Sequence, residues 1–306
     1  MSAHKDELEF RANHSAQAVM GEFAWPTLIL GAVVLTGYAV TLTLADARDP
    51  ALWLAFICAT LLVYASYTLV HEAVHGSING RHKSFKWLNN LLGYLGAQII
   101  GAPFTAHRKE HLAHHRGTNK PGEDPDLLLA GGNLVTVMIG VFKALPLQLR
   151  FYLEHHWRDA APQERAILVA EYVVMILWRA VYIALVGWKT GLLILVGATL
   201  LGVFITLVSF AWIVHRPFAA VGRYADTSTF VFPPLVDPFI SWLWLFQNYH
   251  SVHHLFPRVP FYRYRHLFGQ IEDVMIARAA PIVRIGEGNN RGQSQPTSKS
   301  TTIVEG

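Results

Sequence analysis

The run ALWLAFICATLLVYASYTLVHEAVH, residues 51–75, is an apolar block that ends on a histidine pair. Ala51 to Val70 carries no charge, and roughly 20 apolar residues are what a helix needs to cross a bilayer. His71 and His75 follow four residues apart, so a continuing helix puts both imidazoles on one face.

Working outward, three more blocks have a spanning length: Trp25 to Ala45, Ile167 to Trp188, and Leu192 to Val214. Asp46–Pro50 joins the first pair of blocks and Lys189–Thr190–Gly191 the second, both too short to host a site. Backbone polar groups in lipid must be satisfied within the segment, so the blocks read as helices. Leu88–Phe104 is interrupted by Gly93, Gly96, Gly101 and Pro103, and Leu134–Leu149 by Lys143 and Pro146. Both read as interfacial helices. The expected class is an all-α integral membrane protein: four main transmembrane helices, a cytoplasmic cap carrying the histidines, and interfacial helices.

Composition agrees. Of the 306 residues 52% are apolar and 15% charged, against about 25% charged in soluble domains. The lone Cys58 lies inside an apolar block, so neither an internal disulfide nor a cysteine metal site can form. Asp6, Glu7 and Glu9 do not suit a signal peptide. The expected division is a cytoplasmic segment 1–22, a membrane domain 23–280 and a disordered tail 281–306 rich in Ser, Thr, Gln, Gly and Asn.

Eleven Lys/Arg lie between His71 and Arg165 and nine from His215 onward, while the two hairpin loops carry only Arg48 and Lys189. By the positive-inside rule both termini and the 71–166 region face the cytoplasm, with a bacterial inner membrane as the expected location. The net charge of +4 then reflects a basic face next to anionic lipid, and nucleic acid is not an expected partner.

The sixteen histidines are clustered. The first cluster is His71-Glu-Ala-Val-His75. The second is His111-Leu-Ala-His114-His115, with His107 upstream, and the third is His250-Ser-Val-His253-His254. Spacings of three and four allow each cluster to aim two or three imidazoles at one point. The charge-derived topology puts all three on one side of the membrane. Polar residues at membrane ends would account for one such histidine, not for three clusters of which two repeat His-x-x-His-His. Imidazole suits Zn, Cu, Fe and Ni, and eight clustered imidazoles exceed the four ligands of a single zinc.

His71-Glu72-x-x-His75 is also the zinc-protease pattern, but that reading leaves the other two clusters idle. A transporter would carry its ionisable residues in mid-span, where only Arg179 stands out, read as a packing or lipid-facing residue. Ala130-Gly131-Gly132 follows no strand, so no dinucleotide site is expected.

Arg108-x-x-His111-x-x-His114-His115-x-x-Thr118-Asn119, then Pro121-Gly-Glu-Asp124-Pro125-Asp126, and finally Asn248-Tyr249-His250-Ser-Val-His253-His254-Leu-Phe-Pro257 resemble the membrane fatty acid desaturase and hydroxylase superfamily over roughly residues 25–270. The resemblance implies a further ligand on the last span, matched by His215 in Trp212-Ile-Val-His215-Arg216-Pro217-Phe218. It thus implies nine ligands, His71, His75, His111, His114, His115, His215, His250, His253 and His254, around two non-haem irons that use O2. His107 stands where the family often has an aromatic residue and reads as supporting or structural. Glu72, where the family often has Asp, could orient a ligand, as could Asp124 and Asp126. His4, His14, His82, His155, His156 and His266 read as surface or interfacial residues. From His215 to Tyr262 the likeness is greatest to cyanobacterial-type beta-carotene hydroxylases. The implied activity is hydroxylation of a carotenoid ring, with acyl-lipid desaturation as the alternative. Each turnover would need two external electrons. Arg81, Lys83, Lys86, Arg258, Arg263 and Arg265 suggest an acidic, ferredoxin-like donor.

Overall fold

The structure is a computed structural model and describes residues 2–45 and 51–286; residue 1, the loop 46–50 and residues 287–306 lie outside the described residues. The hairpin with Arg48 and most of the tail expected to be disordered fall in those segments.

The described elements run α1 (Ser2–Met20), α2 (Trp25–Leu44), α3 (Ala51–His75), α4 (Trp87–Ile100), α5 (Phe104–Gly117), α6 (Leu134–His155), α7 (Pro162–Val186) and α8 (Trp188–His215). Strand β1 (Thr229–Val231) follows, then α9 (Asp237–Leu243), α10 (His250–Leu255), α11 (Tyr264–Ala277) and β2 (Ile282–Arg284). β2 pairs parallel with β1, Thr229 opposite Ile282, so the first residues past 281 are paired rather than free.

Among the described residues five helices are long and apolar enough to cross a membrane: α2, α3, α6, α7 and α8. Four of them are the expected blocks. The fifth, α6, is the stretch read as an interfacial helix, and both its ends sit beside the histidine-bearing elements. The Gly132 carbonyl just before it accepts from Trp212 Nε1 near the end of α8 at 2.9 Å. Tyr152 near its end donates to Glu164, which pairs with Lys109 of α5. Pro146 lies inside the 22-residue helix without ending it, at the loss of one backbone bond. Lys143 is on the exposed face with Met138, Ile139 and Phe142. Length and composition alone rank α6 with the spans, but a crossing there would put His215 and the third cluster on the side opposite the first two, and its end contacts keep it on their side. Helix α4, at 14 residues, is about 21 Å long and too short for a hydrocarbon core of about 30 Å.

Helix α3 is the hub, packed against α2, α4 and α8. Its contact with α4 needs small residues, since a Cβ on Gly96 would lie 3.1 Å from the Ser66 carbonyl oxygen. Gly101, left-handed at φ 82°, ends α4. Two side chains of α7 then bracket the break between α4 and α5. The Arg179 guanidinium donates to the Gln98 carbonyl at 2.6 Å, at the negative end of α4. Glu171 accepts from the backbone N–H groups of Phe104 at 2.5 Å and Thr105 at 3.2 Å, at the start of α5. The mid-span charge read as a packing or lipid-facing residue is thus a helix cap. In this way α7 sets the direction of α5, the helix that carries the second histidine cluster.

On the polar side α1 lies on α11. Ala12, Ala16 and Val19 share a buried cluster with Leu267, Ile271 and Val274, and Arg11 pairs with Asp273. This layer covers the third histidine cluster.

Candidate metal centre

Each histidine cluster is delivered by a different element. His71 and His75 end α3, and His111, His114 and His115 lie on α5. His215 ends α8, and His250, His253 and His254 lie on α10. All nine come together. Within α8 the turn Leu207–Trp212, just before His215, is π-helical. Such a turn holds one extra residue, which rotates the rest of the helix by about 100° around its axis. That rotation sets where His215 points.

The nine imidazoles sort into two groups that cut across the sequence clusters. His71, His75, His111, His115 and His253 can each offer a nitrogen, all within 4.8 Å of one another, and so can His114, His215 and His254. His250 joins the second group, its Nε2 lying 3.1 Å from Nε2 of both His215 and His254. In the first group the Nε2 separations are 2.9 Å for His75–His111, 3.2 Å for His111–His115 and 2.9 Å for His115–His253. Neighbouring nitrogens at right angles around one ion, each about 2.1 Å from it, would be about 3 Å apart.

The opposite ring nitrogens support the fit. His250 Nδ1 donates to the Gln247 Oε1 acceptor at 2.8 Å, and His114 Nδ1 to Asp124 Oδ1 at 2.8 Å. Each Nε2 is then a bare lone pair aimed at other imidazole nitrogens, an arrangement that calls for a cation between them. His253 Nδ1 meets the Tyr264 hydroxyl at 2.9 Å. Both nitrogens of His71 are buried without a partner. The residues present therefore fit two metal ions.

Electrostatics agree with this. Burial, then neighbouring imidazoles, holds His111, His115, His250, His253 and His254 well below the usual histidine range, in the neutral form a metal requires. His114 differs. Burial lowers its pKa, but Asp126 and the hydrogen bond to Asp124 outweigh that and push it up to about 9. Its carboxylate neighbours thus favour the protonated ring, so a cation at Nε2 would displace a proton there while Nδ1–H stays on Asp124. Asp126 approaches His114 Nδ1 only to 3.6 Å, and burial pushes its own carboxyl up to about 6.

Some supporting residues differ from expectation. Glu72 orients no histidine. It accepts from the Phe261 backbone at 3.2 Å and from the Thr27 hydroxyl at 3.5 Å, tying α3 to the chain after α10. Arg263 is paired with Glu22 at 2.7 Å and Arg265 with Asp237 at 2.5 Å, whereas Arg81, Lys83, Lys86 and Arg258 line an open basin that also reaches His75. Gln247 and Tyr264 were not singled out from sequence. Gln247 stands three residues before His250, a helical spacing that could have flagged it. Tyr264 carried no such signal.

A cavity of about 100 Å³ ends at the histidines. Ala97 and Ile100 of α4, Ala144 of α6, and Val203 and Leu207 of α8 form its apolar walls, while His71, His111 and His250 reach it from the polar end.

Comparison with known proteins gives one family. The fatty acid desaturase family model matches residues 50–285. A sphingolipid delta(4)-desaturase of Drosophila melanogaster is 27% identical, over 78% of this chain and 71% of its own length. An sn-1 oleoyl-lipid 12-desaturase of Anabaena variabilis is 23% identical, over 82% and 76%. A beta-carotene ketolase of Paracoccus sp. (strain PC1) is 28% identical, over 74% and 84%.

Proposed function

This chain belongs to the fatty acid desaturase family and is an oxidoreductase of the membrane di-iron type, and we propose that it uses dioxygen to hydroxylate a carotenoid ring. The observation that carries the proposal is the meeting of nine imidazoles, in two groups, at the head of an apolar cavity.

His71, His75, His111, His115 and His253 hold one iron; His114, His215, His250 and His254 hold the other. Bound iron supplies the redox chemistry that cleaves an unactivated C–H bond, which side chains alone cannot do. The protein does the rest. Asp124, Gln247 and Tyr264 lock three of the imidazoles in orientation. The apolar walls admit a lipid from the bilayer and keep water out. Residues 23–280 form the membrane unit, and the Lys/Arg asymmetry supports a cytoplasmic cap in a bacterial inner membrane. An acidic, ferredoxin-like donor docks on the basin of Arg81, Lys83, Lys86 and Arg258, which adjoins His75.

The carotenoid ring is supported by the likeness of residues 215–262 to ring hydroxylases and by the ketolase relative. The two desaturase relatives favour a second reading, introduction of a double bond into an acyl chain. Expression in a host that makes beta-carotene, with pigments and fatty acids analysed together, decides between them. Hydroxylated carotenoid with unchanged acyl chains is expected. A new acyl double bond with unchanged pigment would reverse the order. No change in either pool despite bound iron would remove both substrates.

A further inference from the structure

At the polar end of the cavity the hydrogen bonding around Gln148 is incomplete. Gln148 on α6 donates its amide N–H groups to Glu110 Oε2 at 2.8 Å and to His107 Nδ1 at 3.2 Å. A carboxylate only accepts, so Glu110 decides which end of the Gln148 amide faces it. His107 Nδ1 accepts from the same amide, which leaves the ring proton on Nε2. His107 Nε2 and Gln148 Oε1 are both buried and have no partner. Both side chains line the cavity, among Ala97, Ile100, Ala144 and Leu207. One donor and one acceptor are therefore left unpaired in two side chains of the cavity wall, where its polar end meets these apolar residues.

A hydroxyl satisfies both, accepting from His107 Nε2–H and donating to Gln148 Oε1. A ketone satisfies the donor alone, and a hydrocarbon neither. The position is close to the chemistry, because the His107 ring stacks on His111 with centroids 5.7 Å apart.

We propose that His107 and Gln148 bind a hydroxyl on the substrate, so that between two otherwise matched lipids this chain prefers the one already bearing an oxygen near the reacting carbon. The assignment rests on the cavity being the lipid site. It also places the preferred substrate after a reaction that installs that hydroxyl, whether by oxygenation, by hydration of a double bond or by reduction of a carbonyl.

The test is binding to the purified, iron-loaded full chain in detergent, monitored by quenching of tryptophan fluorescence. The probes are two matched pairs: beta-carotene with its ring-hydroxylated form, and a C18 acyl lipid with and without a hydroxyl. In at least one pair the hydroxylated member should bind about tenfold or more tightly, because without it the buried donor and acceptor stay unpaired. His107→Phe and Gln148→Leu should each bring that ratio toward one, with iron content measured as the check on folding. Equal affinities within both pairs, or a preference that survives both substitutions, overturn the hydroxyl assignment and leave the lipid cavity standing. Failure of all four lipids to bind overturns the lipid cavity and the hydroxyl assignment together.

Discussion

His114 is held at both ends. Its Nδ1 donates to Asp124, and Asp124 is itself tied down, its other oxygen accepting from the Asn119 backbone at 2.7 Å. Removing a ligand and removing its holder should therefore differ in degree. His111→Ala, His215→Ala and His253→Ala should each abolish turnover and lower bound iron, which elemental analysis of the purified variants checks. His4→Ala and His266→Ala should keep wild-type activity. Asp124→Ala should weaken metal affinity about 10–100-fold while the ligands stay in place, read by titration against a competing chelator. At this scale eight ligand candidates were legible because histidines three and four apart announce a shared face, and His215, which has no such neighbour, was reached only through the family resemblance. Of their holders, Asp124 was named beside the family's second box, while Gln247 and Tyr264 were not singled out. Tyr264 follows its partner by eleven residues, and no helical repeat connects them.

The elements aim the clusters. Glu171 and Arg179 both belong to α7 and grip the two sides of the α4–α5 break. Glu171→Ala would leave the Phe104 and Thr105 N–H groups without their acceptor. It should cost about 1–2 kcal/mol, in the range of a lost helix cap. A lower unfolding temperature in detergent, with a parallel loss of bound iron, is the expected pair of readouts; lost stability with full iron would mean that α5 keeps its direction without α7. Hydropathy located α2, α3, α7 and α8, since each has a long apolar run. The extent of α6 was less legible, because the penalties for Lys143 and Pro146 depend on which face they occupy in the folded helix. The π turn of Leu207–Trp212 left no trace in composition either.

At the scale of the molecule, the membrane sets one side for the chemistry. Reporter fusions at residues 48 and 290 should give opposite signals, as the Lys/Arg asymmetry requires. Matching signals would remove the shared side on which the histidine clusters meet, and would point to an odd number of crossings between them. Three things came from the sequence by itself: apolar helices of spanning length, histidines on their polar ends, and a family. They were readable there because hydropathy, charge asymmetry and helical spacing are local properties of a chain. The sorting of nine imidazoles into five and four was decided only by tertiary structure. His253 joins residues of α3 and α5, and His114 joins those of α8 and α10. Neighbours in sequence are thus separated between the two groups. The partition depends on how α3, α5, α8 and α10 are packed and turned against one another, and that packing comes from burial and capping contacts between residues far apart in the chain.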